Sequence, residues 1–172
     1  MADEAASQAL SQLLEQLKSP AWDARVEAVQ KLRDRSESSA LEGLISVLYD
    51  ENTAVVEIAA EVLLGRGDEA AFEPLLRALN AAEPDIDVAE EVQSVLAHNP
   101  ESWFMQRCIA ALGESDDEEL RAFAAEALGY PLHATNAIDV LDQALSDPSA
   151  DVREAAADSL LRLRASKTEF SA

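Results

Sequence analysis

The chain has 172 residues and a formal net charge of −21, with 34 acidic and 13 basic side chains. This charge argues against binding to nucleic acid or to anionic membrane surfaces, since both are bound through Lys and Arg. No stretch reaches the roughly 18 consecutive apolar residues of a membrane span, and a single cysteine, Cys108, leaves no internal disulfide framework. The first residues, Met-Ala-Asp-Glu, lack the basic and apolar regions of a secretory signal, so we expect a cytoplasmic protein.

The acidic residues are concentrated in the body of the chain. The segment 36–161 carries 5 basic and 27 acidic residues, a balance of 5 − 27 = −22. One interpretation is a well-solvated surface, as in a protein from a saline habitat. The other is affinity for a basic partner, and net charge alone does not decide between them.

Ala and Leu, which are good helix formers, dominate and strand-like alternation is missing, so the composition predicts an all-α fold. Five helices are predicted from apolar residues at i, i+3, i+4 and i+7, which form one stripe on a helix. The stripes are Leu10-Leu13-Leu14-Leu17, Leu41-Leu44-Ile45-Leu48, Phe72-Leu75-Leu76-Leu79, Met105-Cys108-Ile109-Leu112 and Ile138-Leu141-Asp142-Leu145.

A second series of helices alternates with the first. Its members are five related decapeptides that close on leucines 31, 33, 32 and 32 residues apart: Leu32, Leu63, Leu96, Leu128 and Leu160. Small residues recur within them where two helices would approach closely. A period of this length indicates a solenoid of stacked helix pairs, each of which needs its neighbours to bury its stripe.

Proline and glycine residues punctuate the predicted helices. Pro20, Pro84, Pro100 and Pro148 stand at or just before helix starts, where the missing N–H costs nothing. Gly65, Gly67, Gly113 and Gly129 are predicted to lie just past helix ends.

The decapeptide Asp-Val-Arg-Glu-Ala-Ala-Ala-Asp-Ser-Leu at 151–160, beside a leucine-rich helix at a period near 32, resembles the HEAT repeat. The short period and the Ala-Ala-x-x-Leu core are most similar to the bacterial phycobilisome-lyase type of this family. The resemblance implies an α-solenoid of about five helix pairs in a single array over residues 1–172. The repeats are expected at about 10–34, 40–66, 71–98, 101–129 and 136–164. A disordered tail is expected at 166–172. It also implies that Arg25, Arg121 and Arg153 pair with neighbouring acids, whereas Val56 and Ala89 replace this arginine in the second and third repeats.

Few residues favour chemistry, so we predict no catalytic, cofactor or metal site. His98 and His133 have no ligand partner at i+3 or i+4, and Cys108 lies on an apolar stripe as a buried hydrophobe. The acidic run 114–119 lacks the spacing of a calcium loop and precedes a helix that Ser115 or Asp116 can cap.

The stripe helices are assigned to the concave side of the array. Their predicted solvent-facing side chains form a candidate partner-binding ladder: Glu15, Lys18, Glu42, Ser46, Tyr49, Glu73, Arg77, Asn80, Gln106, Asp139 and Gln143. A solvated helix face has much the same composition. Trp22 and Trp103, at helix starts, are interpreted as staples that hold loops on the core rather than as interface residues.

The sequence therefore predicts a non-catalytic protein-binding scaffold or adaptor whose acidic face suits a basic partner. The alternative is a small bilin lyase-type or phycobilisome-associated HEAT protein, and a third hypothesis is a purely structural subunit. Asp142 interrupts the last stripe, while Leu160, Leu161 and Leu163 make the last helix more apolar than one neighbour can cover. This surplus is an argument for self-association through the C-terminal end.

Overall fold

A computed structural model of the chain describes residues 2–80, 94–96, 103–130 and 137–169. These residues form helices and short 3₁₀ turns, with no β-strand among them, as the composition predicts. The helices, numbered in chain order, are α1 Ala2–Gln16, α2 Trp22–Leu32, α3 Ser38–Ser46, α4 Thr53–Arg66, α5 Phe72–Leu79, α6 Trp103–Glu114, α7 Glu118–Leu128, α8 Ala137–Ala144 and α9 Ala150–Glu169.

The chain divides into two compact units, Met1–Val95 and Leu96–Ala172. In the first unit, α2 packs against both α1 and α4, and α3 packs against α4. Ala28, Ala59 and Ala60 are fully buried, and their small side chains let α2 and α4 approach closely. The stripe residues Leu44 and Leu48 of the α3 segment are also fully buried.

In the second unit, α7 packs against α6 and α9, and α8 packs against α9. Gly129, just after α7, makes the close approach of α9 possible, because a Cβ atom built there would collide with the side chain and Cα of Ser159. Ser159 is itself fully buried and donates a hydrogen bond of 2.8 Å to the carbonyl oxygen of Ala125.

The helix ends follow the predicted signals only in part. Gly67 adopts the left-handed conformation, with φ 67°, and ends α4 as expected. Gly65 and Gly113 lie inside α4 and α6 instead of beyond them, so their predicted role as end signals is wrong. A single glycine within a helix is tolerated because neighbouring residues and packing outweigh its low propensity.

The helix after the acidic run is capped by Asp117, not by Ser115 or Asp116. The Asp117 Oδ1 atom accepts hydrogen bonds from the backbone N–H groups of Glu119, at 3.0 Å, and Leu120, at 3.4 Å. Asp117 has the extended backbone that an N-cap requires, and the Ser115 hydroxyl accepts from its N–H at 3.1 Å.

The repeated arginine forms a clamp in both units. Arg25 donates from Nε and Nη2 to the two carboxylate oxygens of Asp50, both at 2.7 Å. Its Nη1 group donates to the carbonyl oxygen of Ser19, six residues earlier, at 2.8 Å. The clamp therefore joins the start of α2 to the segment that precedes α4.

The clamp recurs at Arg121, which donates to Asp147 at 2.9 and 3.1 Å and to the carbonyl oxygen of Ser115 at 2.8 Å. The third arginine, Arg153, differs from the expectation. It donates to the carbonyl oxygens of Asp147 and Pro148. At the corresponding position of α4, Val56 is fully buried, so an apolar contact replaces the ion pair.

The last helix continues to Glu169, whereas the sequence predicts a disordered tail from Ser166. No Gly or Pro follows Arg164, and Ala165, Lys167 and Glu169 are good helix formers.

Candidate protein-binding surface

A groove of about 560 Å³ runs between α7 and α9 in the second unit. Its lining carries six carboxylates, one guanidinium and three apolar side chains. We call it the acidic groove; its lining residues are Glu118, Glu119, Ala122, Phe123, Glu126, Asp151, Glu154, Ala155, Asp158 and Arg162.

The two helices present these side chains because the polar residues follow the helical period. On α9, Asp151, Glu154 and Asp158 are spaced by three and four residues and therefore share one face. All three are exposed, while the other face of α9 buries Val152 and Ala156 against the core.

Negative charge is in excess in the groove, since six carboxylates and one guanidinium line it. Burial raises the pKa of Glu126 above its usual value, Arg162 acts in the opposite direction, and the negative charge of Asp158 raises it further. Within the described part of the chain, the carboxylates of Glu154 and Asp158 accept no hydrogen bond. A cation that entered the groove would find these two carboxylates without competing protein donors.

Arg162, the cation of the groove, is held in place at one end. Its Nη2 group donates to the Ser159 hydroxyl at 3.1 Å, and its guanidinium carbon lies 5.3 Å from the centre of the Tyr130 ring. This distance is typical of a cation–π contact. The two ends of the groove therefore differ in charge. Carboxylates lie toward the start of α9, and the fixed positive charge of Arg162 lies further along the helix.

A smaller groove of about 310 Å³ lies against α2 and α4 in the first unit, but it is lined by two basic and two acidic residues. Arg33 and Glu61 form an ion pair at 3.3 Å across it, and Arg66 pairs with Asp68 at 2.6 Å. Arg66 also donates to the carbonyl oxygens of Leu32 and Arg33. This groove thus lacks the excess of one charge that distinguishes the acidic groove.

The predicted ladder is mostly exposed but is divided between the two units. Its members at the solvent are Glu15, Lys18, Glu42, Ser46, Tyr49, Glu73, Gln106, Asp139 and Gln143, whereas Arg77 and Asn80 are half-buried. Glu15 pairs with Lys18 at 3.1 Å, and Glu73 pairs with Arg77 at 2.9 Å. These pairs reduce the net charge that the ladder presents.

The aromatic residues at helix starts have different environments. Trp22 is 51% exposed, so its interpretation as a loop staple is wrong; it stands in the first turn of α2 with its side chain in solvent. Trp103 is half-buried and packs edge-on against Phe104, with ring centres 6.1 Å apart.

The described residues contain no group of three or more His, Cys, Asp or Glu side chains arranged to hold a metal ion. Cys108 is fully buried, as predicted, and burial raises the pKa of its thiol far above its usual range. His98 and His133 lie outside the described residues. Across the part of the chain that is described, no helix is long and apolar enough to cross a membrane.

Comparison with known proteins identifies the repeat. The family model for HEAT repeats matches residues 10–97 and 105–169, which is most of the chain. The chain belongs to the HEAT-repeat family. This membership confirms the predicted helical-repeat fold and its α-solenoid class. No curated protein matches the sequence.

Two solved structures are similar to this HEAT-repeat chain at low identity. One is the complex of CpcE and CpcF of phycocyanin lyase from Nostoc sp. PCC7120, with 24% identity, a TM-score of 0.46, and coverage of 90% of this chain. This chain spans 64% of the matched lyase chain. The other is the designed armadillo repeat protein YIII(Dq)4CqI, with 19% identity, a TM-score of 0.36, and coverage of 92% of this chain and 83% of that one.

The acidic groove was missed because sequence reasoning followed the leucine stripes. Its signal was nevertheless present on the other helix series, where Asp151, Glu154 and Asp158 repeat at helical spacing beside Glu119 and Glu126. The sequence alone does not show that a groove lies between these acidic faces of α7 and α9.

Proposed function

We propose that this HEAT-repeat scaffold is non-catalytic and binds a Lys- or Arg-rich segment of a protein partner in the acidic groove. The observation that carries the proposal is the combination of six carboxylates, one arginine and three apolar side chains in a groove of about 560 Å³. HEAT repeats supply a rigid helical surface, and the identity of the partner must come from the chemistry of that surface.

The groove fits basic side chains in two ways. The carboxylates of Glu154 and Asp158 can pair with ammonium or guanidinium groups, while Phe123 and Ala155 can contact the aliphatic stems that Lys and Arg bury along apolar surface. Burial disfavours the charged form of Glu126 and raises its pKa. A cation that binds beside this carboxylate would stabilise the charged form and offset that penalty.

Arg162 gives the bound segment a direction. Its guanidinium is fixed by Ser159 and Tyr130, so it repels cations at the end of the groove and suits an acidic or carbonyl group there. The bound segment is therefore basic, and its positive residues lie beside the first turns of α7 and α9.

The ladder on the stripe helices is the competing surface for the same kind of partner. Two of its four acids are already paired with basic residues of the ladder, Glu15 with Lys18 and Glu73 with Arg77. Charge complementarity therefore favours the acidic groove over the ladder.

The two surfaces can be separated with charge-matched variants and one probe, a fluorescein-labelled peptide of alternating Lys and Ala. The groove variant is Glu154→Gln with Asp158→Asn, and the ladder variant is Glu42→Gln with Asp139→Asn. Both remove two exposed negative charges, so both reduce the overall attraction of the chain equally. We expect fluorescence anisotropy to show binding weakened about tenfold or more by the groove variant and less than about twofold by the ladder variant.

Salt provides a second measurement on the same samples. Binding through carboxylates should weaken as ionic strength rises, since exposed charges are screened beyond about 10 Å at 0.1 M salt. Equal loss in the two variants would show that only net charge attracts the peptide. Affinity that does not change with salt would refute a basic partner.

A further inference from the structure

The positions that form the acidic groove in the second unit recur in the first unit. Counted from the repeated arginine, Arg121 of α7 corresponds to Arg25 of α2, and Arg153 of α9 corresponds to Val56 of α4. Six side chains of the first unit stand at positions that line the acidic groove in the second. We call them the Trp22 surface: Trp22, Val26 and Gln30 of α2, and Glu57, Ile58 and Glu61 of α4.

Contacts between α2 and α4 show that this surface lies between the two helices. Arg33 of α2 and Glu61 of α4 form an ion pair at 3.3 Å. Trp22 lies eleven residues before Arg33, about three complete helical turns, so both side chains lie on the side of α2 that faces α4. Glu57 lies one turn before Glu61 and shares its side of α4. The surface is thus formed between two consecutive repeats, and its exposure does not depend on where the chain begins or ends.

The Trp22 surface is more apolar than the acidic groove. Trp22 stands at the position of Glu118 and is 51% exposed. Val26 and Ile58, which are half-buried, each stand at the position of an alanine. Within the described residues the Trp22 ring makes no hydrogen bond and no ring contact. A large aromatic side chain therefore lies open beside two further apolar ones.

One carboxylate of the surface is available to a cation. Glu57 is exposed, and in the described part of the chain its carboxylate accepts no hydrogen bond. Glu61, one turn later, is paired with Arg33. With a net charge of −21, the chain as a whole also attracts positive segments. The complementary segment therefore combines one large apolar side chain with a Lys or Arg close to it.

We propose that the Trp22 surface is a second docking site, which holds one large apolar side chain of a basic peptide segment against Trp22, Val26 and Ile58. A Lys or Arg beside that side chain pairs with Glu57. Tryptophan suits this role because it buries a large area with few rotatable bonds and is enriched among the residues that dominate binding energy. The two sites differ in what they select, since the acidic groove selects charge and the Trp22 surface selects an apolar anchor.

The apolar anchor can be tested with two unlabelled peptides of Lys and Ala, which are identical except that one has a leucine at its centre. Isothermal titration calorimetry is carried out in the background of Glu154→Gln with Asp158→Asn, so that a failure of the acidic groove would not affect the result. We expect the leucine peptide to bind about tenfold more tightly than the alanine peptide. Trp22→Gln should reduce this ratio to less than about twofold. The control Leu145→Gln, which removes a large side chain 42% exposed in the second unit, should leave the ratio unchanged.

Fluorescence locates the contact. Trp103→Phe leaves Trp22 as the one tryptophan of the chain. The leucine peptide should shift the emission of Trp22 to shorter wavelength and protect it from quenching by acrylamide. Glu57→Gln should weaken the binding of both peptides about threefold, and more than Glu42→Gln, which removes another exposed acid of the same unit.

Three results would overturn the proposal. The first is equal affinity for the two peptides, or a preference for leucine that survives Trp22→Gln. The second is unchanged Trp22 emission at saturating peptide, which places the peptide elsewhere. The third is an emission shift that appears when the protein is concentrated without peptide, because a second copy of the chain then covers the surface.

Discussion

Replacing Arg121 with methionine should destabilise the fold far more than replacing an arginine in an exposed ion pair. The side chains of Arg121 and Asp147 are only 12% and 10% exposed, and the change removes three charge-assisted hydrogen bonds. Methionine keeps much of the length of the side chain, so the loss is mainly that of the charged groups. Asp147 would keep one bond, from the backbone N–H of Ser149 at 2.8 Å.

The magnitude follows from the burial of the pair. Breaking a buried ion pair typically costs about 3–5 kcal/mol, because the remaining charge is left without compensation. The bond from Ser149 and the slight exposure of Asp147 place this variant at the lower end, about 3 kcal/mol. The matched control is Arg33→Met, since Arg33 and Glu61 are each about half exposed and 3.3 Å apart. Such surface pairs contribute about 0–1 kcal/mol.

Urea unfolding followed by circular dichroism measures both variants. With a urea dependence of about 2 kcal/mol/M, Arg121→Met should lower the midpoint by about 1.5 M and Arg33→Met by less than about 0.5 M. Arg25→Met should behave like Arg121→Met, because its clamp on Asp50 has the same geometry. Equal, small shifts for Arg121 and Arg33 would refute the argument from burial.

The same clamp makes a prediction about pH. The hydrogen bonds from Arg121 lower the pKa of Asp147 below its usual value. The unfolded state therefore binds this proton more readily, and the clamp contributes its full stability above the unfolded pKa, about 3.9. That contribution should disappear as the pH falls through the lower folded value, so the midpoints of Arg121→Met and wild type should converge in acid. A difference that does not narrow as the pH falls below about 3.9 would contradict this cause.

Four further outcomes are expected. Gly129→Ala should lower stability by about 1–3 kcal/mol because its Cβ meets Ser159, whereas Gly113→Ala, with open space around it, should raise stability by up to about 1 kcal/mol in the same urea titration. Burial raises the pKa of Glu126 and so disfavours its charged form, and Glu126→Gln should therefore stabilise the fold at pH 7 by about 0.5 kcal/mol or less after screening. This gain in the urea midpoint should vanish in acid, where the wild-type carboxyl is protonated. The Cys108 thiol should react with a thiol reagent at least about a hundredfold more slowly in the folded protein than in urea, since it is fully buried with a raised pKa. Co-expression with phycocyanobilin should give no shifted visible absorption band on the purified protein, and such a band would favour the lyase-type alternative.

Much of the fold was predictable because helix pairs bury the same positions in each repeat. Ala28, Ala59 and Ala124 are fully buried where the decapeptides place them, and Cys108 packs as a small apolar residue. The HEAT resemblance implied that Arg25 and Arg121 pair with acids, and both do. These features follow from the helical period and from close packing, which a sequence records directly.

Features that depend on loop geometry were predicted less well. Asp117 caps α7 although Ser115 and Asp116 are equally capable by composition, because Asp117 stands directly before the helix and has an extended backbone there. Trp22 lies in solvent although tryptophan at a helix start often packs on the core. In both cases the residue type allows several roles, and the local path of the backbone selects one.

The acidic groove shows why the candidate site was harder to predict than the fold. Exposed residues on a helix are constrained by solubility, so the acids of the ladder and those of α7 and α9 look alike in the sequence. The structure separates them by their contacts: Glu15 and Glu73 form ion pairs with Lys18 and Arg77, whereas in the described part of the chain the carboxylates of Glu154 and Asp158 accept no hydrogen bond. Carboxylates that accept no hydrogen bond, next to apolar side chains such as Phe123 and Ala155, mark a surface that can gain energy from a partner. It is this local imbalance, more than the net charge of −21, that makes the groove the better candidate.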